Sequence, residues 1–317
     1  MAAKVLLLEG IKEEAKSYFE ERGYKVELVK GTLAKEELKE KIKDVEVLGI
    51  RSKTEIDEEV LAAAKNLKVI GGYVIGLNKV NLPACTNAGV TVFNAPHSST
   101  RSVAELAIGL IISLFRKLGD RNREMHAGEW KKSAKGSFEV RGKTLGIVGY
   151  GNIGVQVSVL AEAFGMKVVF FDPYDKLPMG NAEKMGTLEE LLGAADIVAL
   201  HAPSPNLMNK EKIGLMKKGS YLINLSRGNV VDLTVLALYL KSGHLAGAAI
   251  DVYTSEPKTN DEKFVCELQD LPNVILTPHI GASTEEAQMD IALSTSEKVY
   301  RFLTEGRTIG SVNPPKA

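Results

Sequence analysis

Between Lys143 and Asp172 the chain reads KTLGIVGYGNIGVQVSVLAEAFGMKVVFFD, and few continuous segments restrict a fold so tightly. Leu145 to Val148 is a short apolar run of the kind that forms a buried parallel strand, and Gly149, Gly151 and Gly154 follow as G-x-G-x-x-G at the opening of a helix. Gly149 permits the tight turn, Gly151 leaves no Cβ between the backbone and a ligand, and Gly154 lets the helix lie close on the strand. Lys167 to Phe171 is a second strand, and Asp172 stands at its end, eighteen residues beyond Gly154. A lone glycine pattern of this kind also describes an ordinary strand-to-helix turn. With the strand before, the helix after and the acid at that distance, it describes a dinucleotide site. The pyrophosphate would face the free N–H groups of the helix N-terminus, and the Asp172 carboxylate would accept from both ribose hydroxyls. A 2′-phosphate would be repelled there, so the expected cofactor is NAD rather than NADP.

A chain of 317 residues suits about two domains. Forty basic residues balance forty acidic ones, so no global field draws the protein to nucleic acid or to an anionic membrane. Cys85 and Cys266 are far apart in sequence and outside any C-x-x-C pair, which argues against a disulfide framework or a metal site and for a reduced, cytoplasmic setting. The N-terminal apolar run meets Glu9 too soon for a secretory segment. The longest apolar stretch, Leu106 to Phe115, is far short of the about 20 residues that span a bilayer.

Strand and helix signals alternate from end to end, the pattern of an α/β protein with parallel sheets. Strands are expected at Val5–Leu8, Lys25–Leu28, Val47–Ile50, Lys68–Ile70 and Thr91–Phe93, with helices at residues 13–21, 35–42 and 56–64. A long helix from Ser98 to Lys117, apolar over most of its surface, breaks the rhythm and requires burial on several sides, between domains or against a second subunit. Six further strands are expected from Lys143 onward, at residues 143–148, 167–171, 197–200, 221–224, 248–252 and 274–276. The fold expected is two doubly wound parallel-sheet domains. A Rossmann-type nucleotide domain, residues 98–287, is inserted into a flavodoxin-like substrate domain, residues 1–97, which a helix at 285–305 completes with residues 288–317.

Three segments place polar groups just after expected strands, where open α/β sheets bind ligands. They are YLINLSRGNVVD with Arg227, AIDVYTSEP with Asp251 and Glu256, and VILTPHIGAS with His279. Singly, each has an ordinary reading as a surface ion pair, a loop residue or a packed histidine. Together with RSKT at Arg51–Thr54, IGLN at Ile75–Asn78, STRSVAE at Ser99–Glu105, HAGEW at His126–Trp130 and the glycine segment, they form a specific set in order and spacing. On these motifs the chain resembles the D-isomer-specific 2-hydroxyacid dehydrogenases over essentially its whole length, most closely the members that act on D-3-phosphoglycerate.

The resemblance implies an NAD-dependent oxidation of a 2-hydroxy acid, here D-3-phosphoglycerate to 3-phosphohydroxypyruvate at the entry to serine synthesis. His279 would be the base, Glu256 would hold its far ring nitrogen, and Arg227 would grip the substrate carboxylate. Asn152 and Ile153 would cover the pyrophosphate, Pro203 the adenine, and Leu225, Ser226 and Asp251 the nicotinamide end, with Asp251 accepting from the carboxamide; Gly281 and Ala282 would also contact the cofactor. Backbone N–H groups of Val74, Ile75 and Gly76 would form a nest for the carboxylate, supported by Asn78. Arg51 and Lys53 are the nearest candidates for a phosphate, with Ser52 between them also expected to meet substrate and Lys132 reaching the phosphate from a neighbouring subunit. The same cations also read as a solvated basic face. A homodimer through the Ser98–Lys117 helix and the Trp130 segment is implied.

Three departures from the family pattern stand out. The segment from His201 to Gly219 is short and lacks the expected threonines, Leu77 replaces a small or hydroxylated residue, and Ser99 stands where asparagine is common. The chain ends at Ala317, where related chains continue into a serine-binding domain, so feedback by serine through such a domain is not expected. Two alternatives remain: a reductase for glyoxylate, hydroxypyruvate or 2-oxoglutarate with the same three catalytic residues, and an NAD-sensing corepressor-like binding protein.

Overall fold

The computed structural model describes residues 3–257 and 259–313. The chain folds into two compact units, one made of the residues up to Ser99 and from Thr284 onward, the other of Thr100–Ser283. Both boundaries fall at helix starts: Thr100 opens a helix, and the Thr284 side chain caps one by accepting from Ala287 N.

In the first unit the order is β1 (Lys4–Leu7), α1 (Glu13–Glu20), β2 (Lys25–Leu28), α2 (Lys35–Lys41), β3 (Val47–Ile50), α3 (Glu58–Ala63), β4 (Val69–Gly72), α4 (Leu82–Asn87) and β5 (Thr91–Phe93). The strands form one parallel sheet in the order β2-β1-β3-β4-β5. β3, β4 and β5 are buried at every position, which is why they read as continuous apolar runs rather than alternating ones. Chain order reverses between β1 and β3, so Glu9 after one and Arg51 after the other flank the switch point where such sheets bind ligands.

The second unit runs α5 (Thr100–Arg116), α6 (Leu118–His126), β6 (Thr144–Val148), α7 (Asn152–Ala163), β7 (Lys167–Phe171), β8 (Glu183–Lys184), α8 (Leu188–Ala194), β9 (Ile197–Leu200), α9 (Lys210–Leu215), β10 (Tyr221–Asn224), α10 (Leu233–Lys241), β11 (Gly247–Ile250) and β12 (Val274–Leu276). Its parallel sheet is ordered β12-β11-β10-β9-β6-β7-β8, with the switch point between β6 and β9. Seven strands replace the six expected. The extra one, β8, is two exposed charged residues paired to Val169 and Phe170 at the sheet edge, so no hydrophobic pattern announces it.

The long apolar helix also has a plainer cause than its sequence suggested. It spans Thr100–Arg116, shorter at both ends than expected, and a left-handed Lys117 (φ +54°) separates it from α6. Eight of its residues, from Val103 to Phe115, are buried within this unit, against α7 and the sheet, with the Phe115 ring 4.6 Å from that of Tyr221. Its apolar surface is thus largely satisfied by its own domain. From the second unit the chain passes into α11 (Glu285–Glu305), whose Thr295 and Val299 methyls pack on Gly71 of β4 in the first unit. Residues 311–313 then follow β5: Val312 donates to Val92 O, and the buried Asn313 side chain accepts from Val92 N and donates to Val90 O. Among the described residues no helix is long and apolar enough to cross a membrane.

Candidate active site

The glycine turn after β6 is shaped by close approaches that exclude side chains. Gly149 has φ +92°, and a Cβ there would lie 2.8 Å from the His201 carbonyl carbon and the Ala202 nitrogen across the switch point. A Cβ on Gly154 would sit 2.3 Å from Gly149 O, whereas one on Gly151 would meet nothing within 4 Å. The turn is therefore packed below and open above. Helices α3, α4, α8, α9, α10 and α11 each begin with a side chain that accepts a first-turn N–H, but α7 begins at Gly151 with no side-chain cap. Its leading N–H groups, at Asn152, Ile153 and Gly154, are left for an acceptor from outside the helix, which suits a pyrophosphate.

Asp172, 8% exposed, accepts from Tyr150 N at 2.8 Å through one oxygen and from Tyr174 N at 3.0 Å through the other. It thus pins the glycine turn to the end of β7, a task its spacing did not reveal. Each oxygen keeps a second lone pair, enough for the ribose contact its position suggested.

The ends of β10, β11 and β12 bring three of the expected residues together. Buried Asn224 donates to Arg227 O at 2.9 Å and accepts from Ser226 N at 3.1 Å, closing the turn that presents Arg227, whose guanidinium also donates to Ser226 O. Glu256 accepts from Tyr253 N at 3.1 Å and faces His279 Nδ1, with its two oxygens at 3.0 and 2.9 Å. A carboxylate can only accept, so Nδ1 carries the proton and Nε2, which has no partner among the described residues, is left as an available acceptor. The hydrogen bond to Glu256 raises the His279 pKa above the ordinary histidine value; burial opposes this, the charges of Glu256 and Asp251 add to it, and Arg227 subtracts. Burial alone would raise the Glu256 carboxyl, but the His279 and Tyr253 hydrogen bonds, with the charges of His279 and Arg227, bring it below the usual range. The guanidinium is therefore close enough for both partners to feel it.

Asp251 explains how this histidine is held. At 1% exposure it accepts from Thr277 Oγ1 at 2.6 Å, Ile280 N at 2.8 Å and Gly281 N at 3.0 Å, so it anchors the loop on both sides of His279. Its expected partner was a carboxamide; three of its contacts instead lie within the protein, and Oδ2 retains room for one more acceptor bond. Tyr253 ties the same loop to its strand by donating to Ile250 O and Thr277 O. His279 itself has a left-handed backbone, φ +55°, an uncommon state for a side chain this large.

The remaining cofactor candidates differ in exposure. Leu225 and Ser226 are 7% and 8% exposed, Gly281 is buried, Ala282 partly so, and Pro203 is exposed. The Ser226 hydroxyl donates to Ala202 O, so it braces the loop beside the glycine turn. Sequence reasoning passed over His201. Both of its ring nitrogens are sealed from solvent without a hydrogen-bond partner, and burial pushes its pKa down to about 4.

In the first unit the two segments expected to meet substrate are held from behind. Arg51 is partly exposed, and Ser52 and Lys53 are exposed. Their turn is clamped by Glu9, whose carboxylate accepts from Lys53 N at 2.9 Å and Thr54 N at 2.7 Å and whose own backbone is left-handed, φ +62°. The Val74–Gly76 loop is anchored by Asn94, which donates to Ile75 O at 2.7 Å, and by Ala95 N donating to Val74 O. Asn78, expected as the support, is exposed; Asn94 does that work, and Leu77 folds back onto Gly72. Nothing in the RSKT or IGLN motifs points to Glu9 or Asn94, which lie far from them in the chain. Lys132, in the second unit, is exposed.

Comparison with known proteins gives the family. Residues 108–281 match the family model described as D-isomer specific 2-hydroxyacid dehydrogenase, NAD binding domain. A D-3-phosphoglycerate dehydrogenase of Dictyostelium discoideum is 51% identical over 317 residues, covering 99% of this chain and 78% of that one. The protein of that name from Escherichia coli K12 is 48% identical, with the same two coverages. The crystal structure of a D-lactate dehydrogenase from Aquifex aeolicus, complexed with NAD and lactic acid, superposes with a TM-score of 0.84 at 27% identity, covering 98% of this chain and 100% of the other. With its NAD-binding domain and its His279–Glu256 pair in place, the chain belongs to the D-isomer specific 2-hydroxyacid dehydrogenase family.

Proposed function

We propose that the chain oxidises D-3-phosphoglycerate to 3-phosphohydroxypyruvate and so feeds serine synthesis. The observation that carries the reading is the His279–Glu256 pair at 2.9 Å, with the Arg227 charge acting on both, in a chain about half identical to D-3-phosphoglycerate dehydrogenases along its length. NAD, when bound, accepts the hydride from the carbinol carbon. His279 Nε2 takes the hydroxyl proton, Glu256 stabilises the imidazolium that results, and Arg227 holds the carboxylate in a bidentate grip while polarising the carbonyl oxygen that forms. In the reverse direction protonated Nε2 returns the proton to the keto oxygen.

Gly149, Gly151, Asn152, Ile153 and Gly154 would hold the pyrophosphate and Asp172 the adenosine ribose, with NAD favoured over NADP by the Asp172 charge. Val74, Ile75 and Gly76 would take the substrate carboxylate, and Arg51 and Lys53, with Lys132 of a second copy, the phosphate. A homodimer fits the exposed apolar side chains of α6 and of the segment that follows it: Trp130 is 78% exposed, Met125 53%, and Leu118 and Phe138 48% each. The test is the initial rate of NADH formation with D-3-phosphoglycerate beside D-lactate, D-glycerate and D-2-hydroxyglutarate. Preference for phosphoglycerate, lost when Arg51 and Lys53 are neutralised, supports the reading. Activity on unphosphorylated acids alone moves the assignment to a reductase of the same family, and NAD binding without turnover to a binding protein.

A further inference from the structure

Lys298, in the first unit, is a charged group that neither the fold nor the proposed chemistry yet uses. Lys298, on α11, is partly buried, and its aliphatic stem runs beside Gly310. Among the described residues no carboxylate lies within 4 Å of its ammonium. Its ammonium donates instead to a neutral group, Asn94 O, at 2.8 Å. Other lysines of this unit, such as Lys12, Lys35, Lys41 and Lys68, stand near the surface against acidic residues. Removing an ammonium from water without an opposite charge is costly, and burial accordingly pulls the Lys298 pKa below the ordinary lysine value. A cation kept there needs a compensating role.

Its one contact leads to the substrate loop. The residue whose carbonyl accepts from Lys298 is the one whose side chain donates to Ile75 O at 2.7 Å, and the next residue, Ala95, donates its N–H to Val74 O at 3.1 Å. Two residues earlier on α11, Ser296 meets the Tyr73 hydroxyl at 2.9 Å, in a fully buried bond. Helix α11 therefore reaches both the residue that enters the Val74–Gly76 loop and the residue that braces it.

We propose that Lys298 is a positioning residue for substrate: through Asn94 it fixes the Val74–Gly76 loop in the form that presents its N–H groups to the substrate carboxylate. This rests on the reading of that loop as the carboxylate nest, and not on the phosphate. Carbonyls of Val74 and Ile75 are tied back by Ala95 and Asn94, which turns the amide groups of the loop away from those bonds. The ammonium polarises the Asn94 peptide and adds a fixed positive charge behind a site that must accept an anion.

The experiment compares Lys298→Met, which keeps the length and apolar stem, with Lys298→Arg, which keeps a charged donor. The readouts are KM and kcat for whichever 2-hydroxy acid the wild type oxidises best, the Kd for NADH, and amide exchange of the peptide containing residues 74–78. Lys298→Met is expected to raise KM about tenfold with kcat within twofold and NADH affinity unchanged, and to speed exchange in that peptide. Lys298→Arg should restore KM to within about threefold of wild type. Asn94→Ala, which breaks the same relay one link on, should give the same KM rise, and it carries the test if Lys298→Met does not fold. Unchanged KM in both variants, or a lower melting temperature with KM and exchange untouched, overturns the proposal and leaves Lys298 a structural residue. Because every candidate substrate carries the carboxylate, a wild type that rejects phosphoglycerate but oxidises D-lactate would defeat the substrate assignment while leaving this test in force. If no acid turns over, the affinity of oxalate for the NADH-loaded protein, weakened about tenfold in both variants, takes the place of KM.

Discussion

The two units place functional groups by the same rule, at the carboxyl ends of parallel strands, but equip those ends differently. In the second unit the strand ends carry reactive side chains, Arg227 after β10, Glu256 after β11 and His279 after β12, each held by neighbours within a few residues or on the adjacent strand. In the first unit the strand ends carry loops, and what fixes them comes from far away: Glu9 for the turn after β3, and Asn94 with Lys298 for the loop after β4. On the proposed function, chemistry would depend on side-chain identity in the second unit and recognition on backbone placement in the first, so substitutions should separate into losses of turnover and losses of affinity.

The strongest test of that division is His279→Gln, which is expected to lower kcat by about 10²- to 10⁴-fold while leaving the NAD dissociation constant within twofold. A comparable loss of NAD affinity would mean that the loop, and not the base, had failed. Glu256→Gln should cost less, about tenfold near neutrality, and should move a titration. Oxidation needs neutral His279, so kcat/KM for the hydroxy acid should rise with pH through a midpoint above the ordinary histidine value, and reduction of the keto acid should fall through the same midpoint. Without the carboxylate that midpoint moves down; if it stays, Glu256 does not set the base.

On the first-unit side, Glu9→Ala removes the acceptor of two backbone N–H groups and should raise KM about tenfold with kcat nearly unchanged. A fall in kcat at constant KM would erase the distinction between the units. The remaining expected change is in stability rather than in kinetics. Because burial depresses His201 to about 4, the folded state resists its protonation, so stability is fully present above the unfolded value near 6.5 and is lost as pH falls from there toward 4. The loss amounts to about 3 kcal/mol. His201→Leu should flatten that part of the pH dependence in urea unfolding, and an unchanged slope would assign the acid sensitivity to carboxylates elsewhere.

Which parts of this were legible in the sequence follows from the same contrast. Fold class, the glycine turn and the Arg227–Glu256–His279 set could be read because each is local: a run of apolar residues, three glycines, a polar side chain just past a strand. β8 was missed because two exposed charged residues carry no periodic signal. The apolar α5 pointed to an interface because a sequence cannot say which surface covers a helix, and here much of the cover is supplied by α7 and the sheet. Asp251 and Asp172 were recognised as important, yet their bonds to backbone N–H groups could not be foreseen, since those depend on how the neighbouring loops close. Glu9, Asn94 and Lys298 gave no signal because each acts across a long stretch of chain on carbonyl and amide groups that every residue possesses.

The left-handed backbone of His279 sets how the proposed base can be replaced. Glycine and asparagine tolerate that conformation, while β-branched residues do so only at a cost of about 1–3 kcal/mol. Most substitutions at this position therefore disturb two things at once, and their kinetics mix missing proton transfer with a displaced loop. His279→Asn is the exchange that leaves the peptide where it was. It offers a silent form of the protein in which a hydroxy acid and NAD could be held together unreacted, long enough for the two units to be seen with both ligands in place.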